Sequence, residues 1–102
     1  MKVIAEWEGR LDGSFEEQFE NGNIRISGNY KNGFLDGTYE EFYDNGTLKY
    51  EGTYKNTKLE GLFYGYFDNG EIQYNRNYKN GKLYGDQYEY KYNGKILQSG
   101  KI

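Results

Sequence analysis

The sequence predicts an all-β protein: a single-layer, twisted antiparallel β-meander of about nine strands. Three observations carry this. The chain repeats itself every 24 residues, with Gly13, Gly37, Gly61 and Gly85 in one series and Gly22, Gly46, Gly70 and Gly94 in another. Asn-Gly pairs punctuate each copy at alternating short intervals. The 102 residues are 20% aromatic and include 15 glycines but no proline. Rings suit half-buried strands, and glycine suits the turns between them.

The turns come first, because they set the strands. Asn21-Gly22, Asn32-Gly33, Asn45-Gly46, Asn69-Gly70, Asn80-Gly81 and Asn93-Gly94 are turn signals, and Glu8-Gly9 and Asn56-Thr57 fill the two remaining slots in degraded form. Asn-Gly favours the two-residue type I′ hairpin, in which both central residues have φ > 0. Thr57 fits that conformation poorly, so its turn is expected to be wider or strained. The strands then cover 1–7, 10–20, 23–31, 34–44, 47–55, 58–68, 71–79, 82–92 and 95–102. The chain, 1–102, reads as one domain of four copies, 6–29, 30–53, 54–77 and 78–101. A sheet of this kind measures about 30 Å by 40 Å. A single copy cannot bury its ring face alone, but four side by side can.

Two-residue turns also fix the register. Around Asn45-Gly46, residue 43 should pair with 48, 41 with 50, 39 with 52 and 37 with 54. One face, the inner face, then collects Leu11, Phe15, Tyr30, Tyr39, Tyr43, Leu48, Tyr50, Tyr54, Phe63, Phe67, Tyr74 and Tyr78. Tyr39 should cover Gly52, and Tyr54 should cover Gly37, which would account for glycine inside strands.

The other, outer face should be solvated, and around Glu40, Lys49 and Glu51 it is polar. Phe42 is an exception, and towards the C-terminus Leu62, Tyr64, Tyr66, Tyr84, Tyr88, Tyr90, Tyr92 and Leu97 fall on the same side. Phe42, Tyr64, Tyr66, Tyr84, Tyr88, Tyr90 and Tyr92 are therefore the candidate partner-binding residues: aromatic, rimmed by charge, on a rigid sheet. Two other readings stand beside this one. The rings could be packing for a thin sheet, or a one-residue bulge in strand 82–92 could turn Tyr88, Tyr90 and Tyr92 inward, since Gln87 replaces the aromatic of the earlier copies.

Catalytic chemistry finds no constellation here. The chain has no histidine and no cysteine, and Ser14, Ser27 and Ser99 lack a nucleophile context. Glu17, Glu41 and Glu89 share one repeat position, which points to architecture rather than to a single acid. Asp44-Asn45-Gly46 and Asp68-Asn69-Gly70 lack the remaining ligands of a calcium loop and read as turns. No cofactor and no metal are expected. A net charge of −3 with interleaved signs is not a nucleic-acid footprint. The lysines are spread among acids, so a membrane surface ranks last among partners. No apolar run is long enough to span a bilayer, and the first residues are too polar for a leader. The expectation is a cytoplasmic protein, or a surface-associated one if the chain is a fragment of a longer protein. The open sheet edges at both ends would allow self-association.

The pattern Tyr-Lys-Asn-Gly-x-Leu-x-Gly, an aromatic run, then Asn-Gly-x-Leu/Ile resembles the bacterial variant of the MORN repeat, as found in the YwqK-type antitoxin family. The resemblance spans about 9–101; Thr57 and Arg76 stand where it expects glycine. It implies an elongated twisted sheet of hairpins and a non-enzymatic binding role. The function it implies is that of an antitoxin or immunity protein that occludes a toxin, with a basic toxin domain as partner through electrostatic steering. The alternative is a structural or adhesive module of a surface- or membrane-associated bacterial protein.

Overall fold

The computed structural model describes the backbone of residues 2–7 and 10–101 and the side chains of 12–100. The predicted turn at Glu8-Gly9 lies outside the described residues, as does the side chain of Leu11. The described residues form twelve strand segments: β1 (Lys2–Trp7), β2 (Arg10–Gln18), β3 (Ile24–Lys31), β4 (Phe34–Leu35), β5 (Gly37–Phe42), β6 (Leu48–Lys55), β7 (Lys58–Leu59), β8 (Gly61–Tyr66), β9 (Ile72–Lys79), β10 (Lys82–Leu83), β11 (Asp86–Tyr90) and β12 (Ile96–Lys101). Together they make one sheet in meander order, β1-β2-β3-β5-β6-β8-β9-β11-β12, with β4, β7 and β10 as short pieces on β3, β6 and β9. All pairings are antiparallel. The molecule is a slab of 46 × 35 × 11 Å, as a single layer should be. Among the described residues only Phe15, 4% exposed, is a buried hydrophobic side chain. Stability must come from rings half-buried along the faces.

The turns fall into two classes, which corrects the single class expected from sequence. Asn32-Gly33, Asn56-Thr57 and Asn80-Gly81 have φ > 0 at both residues, as type I′ requires, and Thr57 is forced to φ 69°. The other four are three-residue loops. At the second of these, Gly46 N–H donates to Tyr43 O at 3.0 Å, Tyr43 N–H donates to Thr47 O at 2.8 Å, and Gly46 takes φ 89°. Residue 43 therefore does not pair with 48. Phe42 pairs with Leu48, and a bulge at Lys49 restores the expected pairs Glu41↔Tyr50, Tyr39↔Gly52 and Gly37↔Tyr54. The extra loop residue and the extra bulge residue cancel, so the register predicted for the strand bodies holds.

The bulge carries a second correction. Lys49 was expected on the outer face, but its Nζ lies 5.5 Å from the ring centres of both Tyr43 and Tyr50. Leu97, at the same repeat position, lines a cleft with Phe67, Tyr74, Arg76, Glu89, Tyr90 and Tyr92. One-residue bulges shift facing in this way.

Strands 34–44, 58–68 and 82–92 were expected to be continuous, but each breaks after its leucine. Gly37, Gly61 and Gly85 take φ 100°, 82° and 72° there. Two residues are looped out, so facing is preserved but the partners move by two. Gly37 is thus a backbone hinge facing Asn29, not a site covered by Tyr54. The ring against Gly52 belongs to Phe63, not Tyr39; Tyr39 packs edge-on against Tyr54, at 5.4 Å between centroids.

The repeats are tied at both sheet edges. Side-chain amides of Asn21 and Asn23 donate to Asp44 O at 3.0 and 2.9 Å, Asn45 to Asp68 O at 3.3 Å and Asn69 to Tyr92 O at 3.4 Å. On the opposite edge Asn56 N–H donates to Asp36 Oδ2 at 3.2 Å and Asn80 N–H to Glu60 Oε2 at 2.9 Å. Each turn satisfies polar groups of the next, which holds the layer flat enough to present its faces.

Candidate functional site

On the outer face one cross-strand row runs Glu16↔Ser27↔Glu40↔Glu51↔Tyr64↔Asn75↔Tyr88↔Ser99. Strand alternation then puts Tyr66 on the face of Tyr64, and Tyr90 on that of Tyr88. The rings stack along their own strands: Tyr64 and Tyr66 at 6.4 Å, Tyr88 and Tyr90 at 6.5 Å. The two stacks stand on β8 and β11 with β9 between them, about 10 Å apart. Asn75 lies in the same row between them.

Polar contacts orient these rings. Tyr66 Oη donates to Glu51 Oε1 at 2.5 Å, and Asn75 Nδ2 donates to Tyr90 Oη at 3.4 Å. Burial first, then the hydrogen bond to Glu51, pushes the Tyr66 phenol well above its ordinary value. It remains a neutral donor at any physiological pH. The arrangement offers flat apolar area with hydroxyl tips, the surface type that interface cores favour.

The structure sorts the seven sequence candidates. Tyr64, Tyr66, Tyr88 and Tyr90 come together. The register of β11 on β9, Tyr88↔Asn75 and Glu89↔Tyr74, repeats that of β8 on β9, Tyr64↔Asn75 and Gly65↔Tyr74. No slip turns Tyr88 or Tyr90 inward. Phe42 holds the Tyr66 position one repeat earlier, on β5. Tyr84 sits at the break between β10 and β11, with Lys79 Nζ 5.5 Å from its ring centre. Tyr92 does not belong to the outer cluster: it lies in a turn, its ring edge-on to Phe67 at 5.2 Å and its Oη donating to Asp68 Oδ1 at 3.0 Å.

Sequence reading missed Asn75 and the active part played by Glu51. Both were findable, since the register places Glu51 beside Tyr64 and Asn75 between Tyr64 and Tyr88.

The inner-face glutamates are occupied in architecture. Glu17 pairs with Arg25, Glu89 lies 3.7 Å from Arg76, and Glu41 accepts from Tyr39 Oη at 3.3 Å. Among the described residues no group of three His, Cys, Asp or Glu side chains could hold a metal. Among the described residues no helix is long and apolar enough to cross a membrane.

A family model described as MORN repeat variant matches the chain three times, at residues 11–32, 35–56 and 59–80. Successive matches start 24 residues apart, in phase with the glycine series. No curated protein matches the chain.

Proposed function

The chain belongs to the MORN repeat variant family, a repeat-based, non-catalytic type of binding module, and on that premise we propose that it binds a protein partner through the outer-face tyrosines. The observation that carries this reading is the pair of parallel stacks, Tyr64/Tyr66 and Tyr88/Tyr90, held upright by Glu51 and Asn75. Ordered tyrosines lose little entropy on contact and commonly carry binding energy. In the finer form of the proposal, the protein is a cytoplasmic antitoxin that neutralises a basic toxin domain by occlusion. The YwqK-type resemblance and the net charge of −3 support that form.

The test is capture of the cognate partner by the tagged chain and by its Tyr66→Ser/Tyr90→Ser variant, at low and high salt. A stoichiometric basic toxin-like partner, lost at high salt and at least about tenfold weaker on the folded variant, is the expected outcome. Unchanged capture by a folded variant would overturn the assignment of the surface. Recovery only with the cell surface or lipid would overturn the antitoxin form.

A further inference from the structure

Beside the tyrosine stacks lies an open cleft of about 350 Å³, lined on the outer face by Thr38, Glu40, Glu51, Thr53, Leu62 and Tyr64. Its two carboxylates stand directly opposite each other across β5 and β6. Like charges so placed repel, and a sheet gains nothing from them by itself. Among the described residues neither has a Lys or Arg within ion-pairing distance. Glu51 is nonetheless oriented, by the Tyr66 hydroxyl. Leu62 is 49% exposed at the rim, an apolar side chain with nothing over it.

We propose that this cleft receives one arginine side chain of the protein partner. The proposal rests on the outer face being the partner surface, and names the chemistry that surface selects. The guanidinium would sit between Glu40 and Glu51, accepting no proton and donating to both carboxylates. Its aliphatic stem would lie on Leu62, and the Tyr64 ring would offer its face to the charge. The same contact would relieve the Glu40/Glu51 repulsion that the free protein carries.

The probe is N-acetyl-arginine amide, titrated into the full chain and followed by NMR, with the citrulline analogue as the uncharged match. Saturable shifts at the Leu62 methyls and the amides of 38–40, 51–53 and 62–64 are expected with arginine and not with citrulline. Glu40→Gln/Glu51→Gln should weaken binding at least about tenfold, while its unfolding midpoint stays level or rises because the repulsion is gone. Equal response to arginine and citrulline, or full arginine binding by the folded double variant, would overturn the proposal. These titrations do not involve the cognate partner. Normal capture by the tyrosine variant therefore sinks the parent reading, and failure of the titration alone sinks only the arginine receptor.

Discussion

The first two copies and the last handle the same glycine position in opposite ways. Gly28 and Gly52 lie under rings: a Cβ at Gly28 would meet Phe15 at 2.7 Å and Tyr39 at 3.4 Å, and one at Gly52 would collide with Phe63. Gly100 occupies the same position in the last copy, and a Cβ there would meet nothing within 4 Å. Its cross-strand partner is Gln87, not an aromatic residue. The third copy is intermediate. Arg76 replaces the glycine and stacks 4.0 Å from the Tyr74 ring centre, and that ring lies on Gly65 instead. A glycine inside a strand here is a seat for a ring. At Gly100, opposite Gln87 and on β12 at the end of the strand order, no ring is supplied and the seat is left empty.

Substitutions at these seats sharpen the contrast most. Gly28→Ala and Gly52→Ala should each destabilise by about 1–3 kcal/mol through forced ring displacement. Gly100→Ala should be neutral or stabilising by up to about 1 kcal/mol, since it only lowers the entropy of the unfolded chain. Urea midpoints of the three variants check this, and equal losses at all three would break the comparison.

The hinge glycines act by a different mechanism. Gly37→Ala should cost about 1–2 kcal/mol, because φ 100° strains any side chain even though Asn29 leaves room. Thr57→Gly should gain about 1 kcal/mol, because a β-branched residue there is held at φ 69°. A loss of stability in Thr57→Gly would show that the threonine hydroxyl, which donates to Asn56 O, outweighs the strain.

The last effect is absent at neutral pH and appears in alkali. Burial, with Glu41 next for Tyr39 and Tyr50 next for Tyr74, pushes both phenols from 10.0 up to about 12. Because the folded values are raised, their stabilising contribution is complete below pH 10 and is lost as pH climbs towards 12. Urea midpoints from pH 8 to 12 should fall over that window. In Tyr39→Phe/Tyr74→Phe the fall should be shallower.

Much of this was legible in the residues. The 24-residue phase, the turn positions and the pairs Glu41↔Tyr50 and Tyr39↔Gly52 follow from Asn-Gly spacing alone. So does the outward facing of Tyr64 and Tyr66, whereas that of Tyr88 and Tyr90 stays open in the sequence, where a bulge is an alternative, and is decided by the register of β11 on β9. The two turn classes were harder, since Asn-Gly serves both. The residue before the asparagine separates them: Lys31, Lys55 and Lys79 precede the type I′ turns, while Glu20, Asp44 and Asp68 open three of the longer loops. Gly37 and Gly52 look alike in sequence, yet one supplies φ > 0 and the other supplies space. Only the two-residue displacement after Leu35 tells them apart. The asparagine ladder along the turns depends on contacts between copies that no local pattern encodes.

The central claim is that inner rings hold the sheet and outer rings are free to bind. Its most direct test compares the unfolding free energies of Tyr39→Ser/Tyr54→Ser and Tyr66→Ser/Tyr90→Ser by urea titration. The account predicts a loss of at least about 3 kcal/mol for the inner pair, enough to approach unfolding in so thin a domain. For the outer pair it predicts about 1 kcal/mol or less, chiefly the hydrogen bond to Glu51. Equal losses, or a larger loss in the outer pair, would mean that the outer tyrosines are packing and would contradict it.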